Sequence, residues 1–217
     1  MNRRTLLKNS IMTATALVGS RALAEGALCK AIATPHQTEG PFYPIVAQTD
    51  TDSDLIQVSG RNRIADGRII IVEGIVQDQH CQPVSGVLVE IWQACASGKY
   101  NHPSDPNPAP LDPNFQYWGK AVTDASGLYR FRTIVPGAYP ASDDWVRPPH
   151  IHFKVSKKGY LELITQMYFA GESHNQTDKI LNRLSKLQQQ EVIVALVDDP
   201  VTKLPKAKFP IQIEKLG

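Results

Sequence analysis

The sequence predicts an all-β protein with a β-sandwich core, long loops and a little C-terminal helix. The chain has 217 residues, which is enough to bury one good core. Its 16 prolines and 14 glycines stand between short apolar runs, a distribution that favours many tight connections over a helical bundle. The spacing of those runs is typical of the strands of a sandwich.

The first 24 residues have the pattern of an export signal, so we exclude them from the fold. Arg3 and Arg4 precede an apolar stretch at residues 11–18, and Ala22-Leu23-Ala24 follows it. The paired arginines resemble a twin-arginine signal, which predicts export of a folded protein to the periplasm. An ordinary secretory signal or a retained anchor is the alternative, although eight apolar residues are few for a membrane span.

Residues 25–217 are expected to form a single domain. Removing residues 1–24 takes away four basic and no acidic side chains, which lowers the formal net charge from +2 to −2. A chain of that charge has no electrostatic support for binding nucleic acid. Cys29, Cys81 and Cys95 allow at most one internal disulfide. Because none of them lies in a CxxC pair, a thiolate metal site is not expected.

The elements begin with a Pro- and Gly-containing arm at residues 34–44. Three segments are predicted as strands because they are short, apolar and bounded by turn residues: residues 69–72, 87–92 and 129–134. Turn clusters at residues 82–86 and 124–127 separate them. Between the second and third strands, the polar, Pro-rich stretch 97–114 is longer than a hairpin needs, which predicts a functional loop.

Towards the C-terminus the apolar pattern becomes helical. Helical spacing connects four residues: Ile180, Leu181, Leu184 and Leu187. We expect this apolar face to belong to the core and not to a site. Residues 192–197 and 209–213 return to strand-like patterns.

The clearest chemical signal is residues 147–153, Arg-Pro-Pro-His-Ile-His-Phe. A strand that begins here would direct His150 and His152 to one face and Ile151 and Phe153 to the other. Two neighbouring imidazoles can share a metal such as iron, copper, zinc or nickel. Taken alone, however, such a pair is more often structural or exposed.

Two further motifs precede that pair in the chain, residues 38–43 (Thr-Glu-Gly-Pro-Phe-Tyr) and 136–140 (Pro-Gly-Ala-Tyr-Pro). With these three motifs in order, the chain resembles the intradiol ring-cleaving dioxygenases, and most nearly the protocatechuate 3,4-dioxygenase subunits among them. The resemblance extends over roughly residues 34–172 and includes residues 166–169 (Gln-Met-Tyr-Phe). It implies a β-sandwich that binds one iron(III) per chain.

The resemblance also implies roles for individual residues. It gives four metal ligands: Tyr100, Tyr139, His150 and His152. It places Arg147 over the substrate ring, Gln166 in the pocket and Tyr43 at the entrance. Tyr139 would act as a base besides binding the metal. The implied activity inserts both atoms of O2 into a catecholic ring between its two hydroxyl-bearing carbons, giving a cis,cis-muconate-type product.

The residues themselves leave other interpretations open. Tyr100, Tyr139 and Arg147 would each, taken singly, be an ordinary loop, turn or surface residue. An exported, non-catalytic β-sandwich binding module is the alternative function, although such a module needs no set of four donors. The same donors could instead hold zinc or copper. Relatives often carry a tryptophan where this chain has Pro140-Ala141-Ser142, so the ring substituents of the substrate stay open. A homo-oligomer is the default assembly.

Overall fold

The computed structural model describes residues 33–48 and 50–217, so the export signal predicted at residues 1–24 lies outside the described residues, as does Cys29. The first eight strands are β1 (Ile69–Gln77), β2 (Leu88–Trp92), β3 (Trp118–Val122), β4 (Leu128–Ile134), β5 (Tyr139–Ser142), β6 (Trp145–Arg147), β7 (His150–Ser156) and β8 (Leu163–Phe169). After them come helix α1 (Lys186–Val192) and the short strands β9 (Ile193–Val194), β10 (Leu196–Asp198), β11 (Pro205–Lys208) and β12 (Ile211–Gln212). Strands dominate, which confirms the predicted fold class.

Two five-stranded sheets form the sandwich. In the first sheet β1 is central, because it pairs antiparallel with β4 and parallel with β11 and β12, while β10 extends the sheet beyond β11. The second sheet has the order β3-β2-β7-β8-β9. Val72 and Phe131 of the first sheet and Ile91 and Phe153 of the second belong to one fully buried apolar cluster between the sheets. A separate ribbon of β5 and β6 stands outside both sheets.

The three strands predicted in the first two thirds of the chain are present. Residues 69–72 lie in β1, residues 87–92 correspond to β2, and residues 129–134 lie within β4. The sequence did not predict β3 and β11. Each has a single buried residue, so its apolar pattern is too weak to stand out from a loop.

The C-terminal helix is displaced relative to its prediction. A 3₁₀ turn occupies Leu181–Arg183, and α1 begins only after Ser185, whose hydroxyl accepts from Gln188 N while its own N–H donates to Gln188 Oε1. This capping box puts Leu187 in the first turn, where it is 59% exposed, so the prediction that Leu187 belongs to the core is wrong. Leu181 is buried as predicted.

The same shift divides the strand predicted at residues 192–197. Val192 is the last residue of α1, and the extended segment that follows is split into β9 and β10. Of residues 209–213, only Ile211–Gln212 forms a strand. Among the described residues, no helix is both long and apolar enough to cross a membrane. Cys81 is disulfide-bonded, whereas Cys95 is buried and free.

Candidate metal centre

Strand β7 brings the two histidines together, as its alternation predicts. His150 and His152 point away from the sandwich core and their ring centroids are 4.9 Å apart, whereas Ile151 and Phe153 are part of that core. Both histidines are 2% exposed. The indole of Trp92, the partner of His152 on β2, stacks on the His152 ring at 4.7 Å and 10°. The pair is therefore buried and held in place by packing.

Two glycines allow the loop after β2 to approach the segment that carries Tyr139. Gly98 has a φ of +83°, and a Cβ at this position would lie 2.4 Å from the carbonyl oxygen of Ala138. A Cβ on Gly137 would lie 2.5 Å from Gly98 N. Because neither position has room for a side chain, the two backbones pack closely. The rings of Tyr100 and Tyr139 consequently meet edge to face, with centroids 5.5 Å apart.

Buried polar side chains fix the long loop predicted at residues 97–114. Asp105 Oδ2 accepts a hydrogen bond from Tyr100 N at 2.7 Å, and Asn107 Nδ2 donates to Gly98 O at 3.0 Å. Lys99 Nζ donates to Asp105 O at 2.7 Å. The loop has no regular secondary structure over most of its length, yet these bonds determine where Tyr100 stands. The functional role expected of this loop stays a prediction.

The four predicted metal ligands converge on one place. Tyr100 Oη lies 3.3 Å from His150 Nε2, and the Tyr139 and His150 ring centroids are 5.7 Å apart. The rings of Tyr100 and His152 are 6.2 Å apart. Two atoms that share one metal, each bound at about 2 Å, must lie within about 4 Å of each other, and the Tyr100–His150 pair meets that condition.

Hydrogen bonding prepares His150 to bind a metal through its inner nitrogen. Its Nδ1 is 2.7 Å from the carbonyl oxygen of Pro148, which can only accept, so Nδ1 carries the proton and the lone pair of Nε2 faces the cluster. Nδ1 of His152 is buried without a hydrogen-bond partner among the described residues. A buried ring nitrogen without a protein partner is expected where a bound group is part of the site.

Burial determines the protonation of all four side chains. It lowers the pKa of His150 and His152 well below the usual value, and the charge of Arg147 adds to this, so both imidazoles are neutral. Burial also raises the pKa of Tyr100 and Tyr139, although the charge of Arg147 opposes the rise. Neutral imidazoles are ready to donate a lone pair, whereas the phenols must lose a proton to a metal.

The donor set fits a trivalent iron. No group of three or more His, Cys, Asp and Glu side chains that could hold a metal occurs within residues 33–48 and 50–217. Beside the two histidines, Tyr100 and Tyr139 offer phenol oxygens as further donors. Anionic oxygen donors suit a hard trivalent cation, while zinc and copper sites more often use imidazole and thiolate.

Arg147 and Gln166 lie directly beside the donors. The Nη1 atom of Arg147 is 3.1 Å from His150 Nε2, and Nη2 donates to Gln166 Oε1 at 2.9 Å. The ribbon of β5 and β6 places Arg147 opposite Tyr139 in register. The guanidinium is 3% exposed, and burial disfavours its charge. The neighbouring Tyr168, Tyr139 and Asp178 reverse that effect and hold the pKa of Arg147 above its usual value.

The N-terminal arm covers the centre, and within it the ring of Tyr43 contacts Trp92 and Trp118. Tyr43 packs edge to face on Trp92 at 5.0 Å, one ring removed from His152. Phe42 is closer, with its centroid 4.8 Å from that of Tyr100. A Cβ on Gly40 would lie 3.3 Å from His152 Cε1. The role of Tyr43 at a substrate entrance stays a prediction.

Three residues of this neighbourhood were given no role by the sequence. Phe42 lies within the motif of residues 38–43 but was not singled out, Trp92 ends an apolar strand that looks like ordinary core, and Asp178 stands in a polar segment without any motif. Asp178 is nevertheless fully buried and accepts from Arg147 Nε at 3.0 Å. Only the packing of distant segments distinguishes these residues from their neighbours.

A cleft of about 610 Å³ opens beside Tyr100. Its lining includes Pro44 of the arm, Val46, Arg61, His102 and Tyr117. Part of the lining comes from the long loop, so the loop both holds Tyr100 and forms the wall of an open space next to it. A cleft of this size can accommodate a small aromatic molecule.

Comparisons with known proteins agree with the geometry. Residues 38–205 match the family described as Dioxygenase. The chain is 47% identical over 136 residues to a protocatechuate 3,4-dioxygenase beta chain of Burkholderia cepacia, covering 61% of this chain and 57% of that one. It is 30% identical over 185 residues to a chlorocatechol 1,2-dioxygenase of Pseudomonas putida, covering 78% and 64% respectively. The chain thus spans less than two thirds of the length of these relatives.

Solved structures share the fold. The dioxygenase domain of a dioxygenase and carbohydrate-binding protein fusion from Streptomyces sp. SirexAA-E superimposes with a TM-score of 0.62 at 29% identity, over 85% of this chain and 99% of that one. Catechol 1,2-dioxygenase from Acinetobacter sp. ADP1 gives a TM-score of 0.63 at 26% identity, over 85% and 64%. The likeness to the first of these covers nearly the whole of that domain.

Proposed function

The chain belongs to the intradiol dioxygenase family, and from this premise we propose that it cleaves a catechol-type ring between the two hydroxyl-bearing carbons with both atoms of O2. The product would be a cis,cis-muconate-type acid. One observation carries the proposal: two phenols and two neutral imidazoles from three separate segments converge in one buried cluster.

The proposed cofactor is one iron(III) per chain, held by Tyr100, Tyr139, His150 and His152. When bound, such an ion would turn the phenols into phenolates and draw electron density from a coordinated catechol. The donor chemistry supports iron over the zinc or copper alternative. The alternative of a non-catalytic binding module gains no support, because such a module has no use for four buried donors beside a buried arginine.

The residues around the cluster have distinct tasks in the proposed reaction. Tyr139 would be the base that takes a proton from the incoming catechol once metal binding has removed its own proton. Burial raises the pKa of Tyr139 despite the opposing charge of Arg147, so its phenolate would accept a proton readily. Arg147 in turn stabilises negative charge that develops on the ring. Gln166 holds Arg147 through Oε1 and binds the arm through a 2.9 Å bond from Nε2 to Thr38 O.

The arm keeps water away from this chemistry. Phe42 lies over Tyr100 and Tyr139, and Gly40 is next to His152. Exclusion of water strengthens the effect of the Arg147 charge, since the local dielectric constant is lower.

We further propose that the protein is exported to the periplasm, acts on a small catecholic molecule and forms a homo-oligomer.

A visible absorption spectrum with metal analysis tests the proposal. The full chain without its signal is loaded with iron(III) and examined before and after anaerobic addition of catechol, and the same chain loaded with zinc is the control. We expect about one iron per chain, a broad phenolate-to-iron band that shifts on addition of catechol, and a ring-cleaved diacid once O2 is admitted. A protein that stays colourless after loading with iron would contradict the proposed dioxygenase function and favour the binding module.

A further inference from the structure

Asp178 is a fully buried carboxylate next to Arg147. Its Oδ2 accepts from Arg147 Nε at 3.0 Å, and the side chains of the two residues are 0% and 3% exposed. We propose that Asp178 is a positioning residue that aims the guanidinium of Arg147 at the metal donors. The inference rests on the proposed function, because it acts through the part that Arg147 takes in ring cleavage.

The contacts of the guanidinium divide between its edges. Nε donates to Asp178, while Nη2 donates to Gln166 Oε1 at 2.9 Å and to Tyr168 Oη at 3.2 Å. Nη1 is directed to the donors, 3.1 Å from His150 Nε2. A planar group bound along two edges has no freedom to rotate, so the third edge is fixed towards the place where the substrate ring would bind.

The two oxygens of Asp178 do different things. Oδ1 accepts from Leu181 N at 2.7 Å and from Ile180 N at 3.1 Å, and so builds the 3₁₀ turn that follows. Oδ2 is the close partner of Arg147, whose Nη2 is 3.5 Å from Oδ1. An asparagine could keep the oxygen that supports the turn but would present an amino group to Arg147 Nε. Turn formation and arginine positioning can thus be separated in one substitution.

The buried positive charge of Arg147 requires a negative partner, and Asp178 is that partner. A guanidinium that is 3% exposed has lost its water, and its uncharged neighbours Gln166 and Tyr168 cannot balance it. Removing the negative partner of a buried cation drives that cation to reorient or to draw in water. Either response would turn Nη1 away from the donors without touching Tyr100, Tyr139, His150 or His152.

The test is Asp178→Asn in the full iron-loaded protein. We expect one iron per chain and an unchanged visible band, because the ligands are untouched. Anaerobic affinity for catechol should change by less than about threefold, while kcat falls by about 10- to 100-fold, since a charge aimed at the reacting ring matters most in the transition state. Asp178→Glu, which keeps the charge but shifts it, should give an intermediate kcat and provides the second variant if the amide does not fold.

The matched control is Asp124→Asn. Asp124 Oδ1 accepts from Ser126 N and Leu128 N in an exposed turn, just as Asp178 Oδ1 accepts from two backbone N–H groups in the buried one. Within residues 33–48 and 50–217, however, no arginine donates to Asp124. This variant should keep the wild-type kcat. A similar loss of kcat in Asp124→Asn would show that turn disruption alone is sufficient, and would overturn the positioning role.

A double-variant cycle with Arg147→Gln completes the test. If Asp178 acts through Arg147, then adding Asp178→Asn to Arg147→Gln costs no further kcat. Full additivity of the two losses would overturn the inference, as would an unchanged kcat in Asp178→Asn. The wild-type protein is measured first. If it holds no iron or leaves catechol intact, the proposed function is overturned and this inference with it. If it is active, the variants test the role of Asp178 alone.

Discussion

At the scale of single residues, small side chains matter as much as the ligands. Gly98 and Gly137 have no space for a Cβ, because the backbones of the two tyrosine segments pass within contact distance. Cys95 O accepts from the N–H of both glycines, at 2.9 and 3.0 Å, and joins the segments directly. The backbone contacts that bring Tyr100 and Tyr139 together are therefore made by Cys95, Gly98 and Gly137, not by the tyrosines themselves.

We predict that Gly98→Ala separates the two tyrosines. The new Cβ would lie 2.4 Å from Ala138 O, and the residue would keep a φ of +83°, so stability should fall by about 2 kcal/mol or more and the visible band of the iron-loaded protein should weaken. Gly159→Ala is the control, because Gly159 has a φ of +87° with nothing within 4 Å of its Cβ. Chemical denaturation and iron titration of both variants measure the difference. If both variants lose iron binding equally, then backbone strain at a positive φ, and not the clash with Ala138 O, explains the loss in Gly98→Ala.

A second residue-scale prediction concerns the base. Tyr139→Phe removes a phenol oxygen but keeps the ring that packs on Tyr100. We expect the iron-loaded variant to fold, to lose intensity in the visible band, and to cleave catechol at least about 100-fold more slowly, because it lacks both a ligand and the proton acceptor. Tyr160→Phe, at a partly buried tyrosine packed against the sandwich core, is the control and should keep both properties. An unchanged rate would exclude Tyr139 as the base.

At the scale of elements, strands position the site and short turns secure the sheets that carry it. Strand β7 contributes Ile151 and Phe153 to the sandwich core, and His150 and His152 to the metal centre, because alternate side chains face opposite ways. The β10–β11 hairpin shows how a turn is secured: Asp199 Oδ1 accepts from Val201 N and Thr202 N at 2.8 Å each, and Oδ2 pairs with Lys206. These contacts close the edge of the first sheet.

The hairpin gives a pH prediction. Lys206 holds the pKa of Asp199 below its usual 3.8, and the turn amides contribute to the effect. The folded state thus binds this proton less readily than the unfolded state, so the stabilisation is complete above about pH 4 and is lost as pH falls further through the folded-state pKa. Asp199→Asn should lower the Tm at pH 6 and have a smaller effect near pH 2.5. Asp198→Asn, at the exposed neighbouring residue, is the control, and an equal loss of Tm at both pH values in Asp199→Asn would contradict the prediction.

At the scale of the whole molecule, the second sheet separates two buried clusters. The large cluster lies between the sheets and contains Phe153, and the small cluster contains Trp92 with Phe42, Tyr100 and Tyr139. The first gives the fold its stability, since most of the buried apolar side chains belong to it. The second surrounds the donors. Stability and the metal centre are therefore carried by opposite faces of one sheet.

This arrangement predicts that two similar substitutions have different effects. Phe153→Leu should cost about 1–2 kcal/mol of unfolding free energy and leave the visible band of the iron-loaded protein in place. Trp92→Leu removes the ring that stacks on His152, so it should weaken iron binding or shift the band as well. Both side chains are at most 1% exposed, so burial is matched. A band that moves equally in both variants would mean that the clusters are not independent.

Local periodicity in the amino-acid sequence was enough to predict several strands and one face of the site. Strands β1, β2 and β4 were predictable from short apolar runs between turn residues, and alternation along β7 was enough to place His150 and His152 on one face. Helical spacing was less informative, because the capping box at Ser185 moved the helix and exposed Leu187. Local patterns show which residues share a face, but not what the face packs against.

The way in which distant segments meet became visible only in the folded chain. Tyr100 and His150 are 50 positions apart in the chain, and Arg147 and Asp178 are 31 apart, yet both pairs are in contact. Family resemblance implied the first pair, whereas no pattern in the sequence indicated the second. Asp178 lies in a polar segment that looks solvated, yet it is fully buried, pairs with Arg147 and accepts a hydrogen bond from Leu181 N at the start of a 3₁₀ turn. Such pairing depends on the packing of whole elements, and single-chain periodicity carries no information about it.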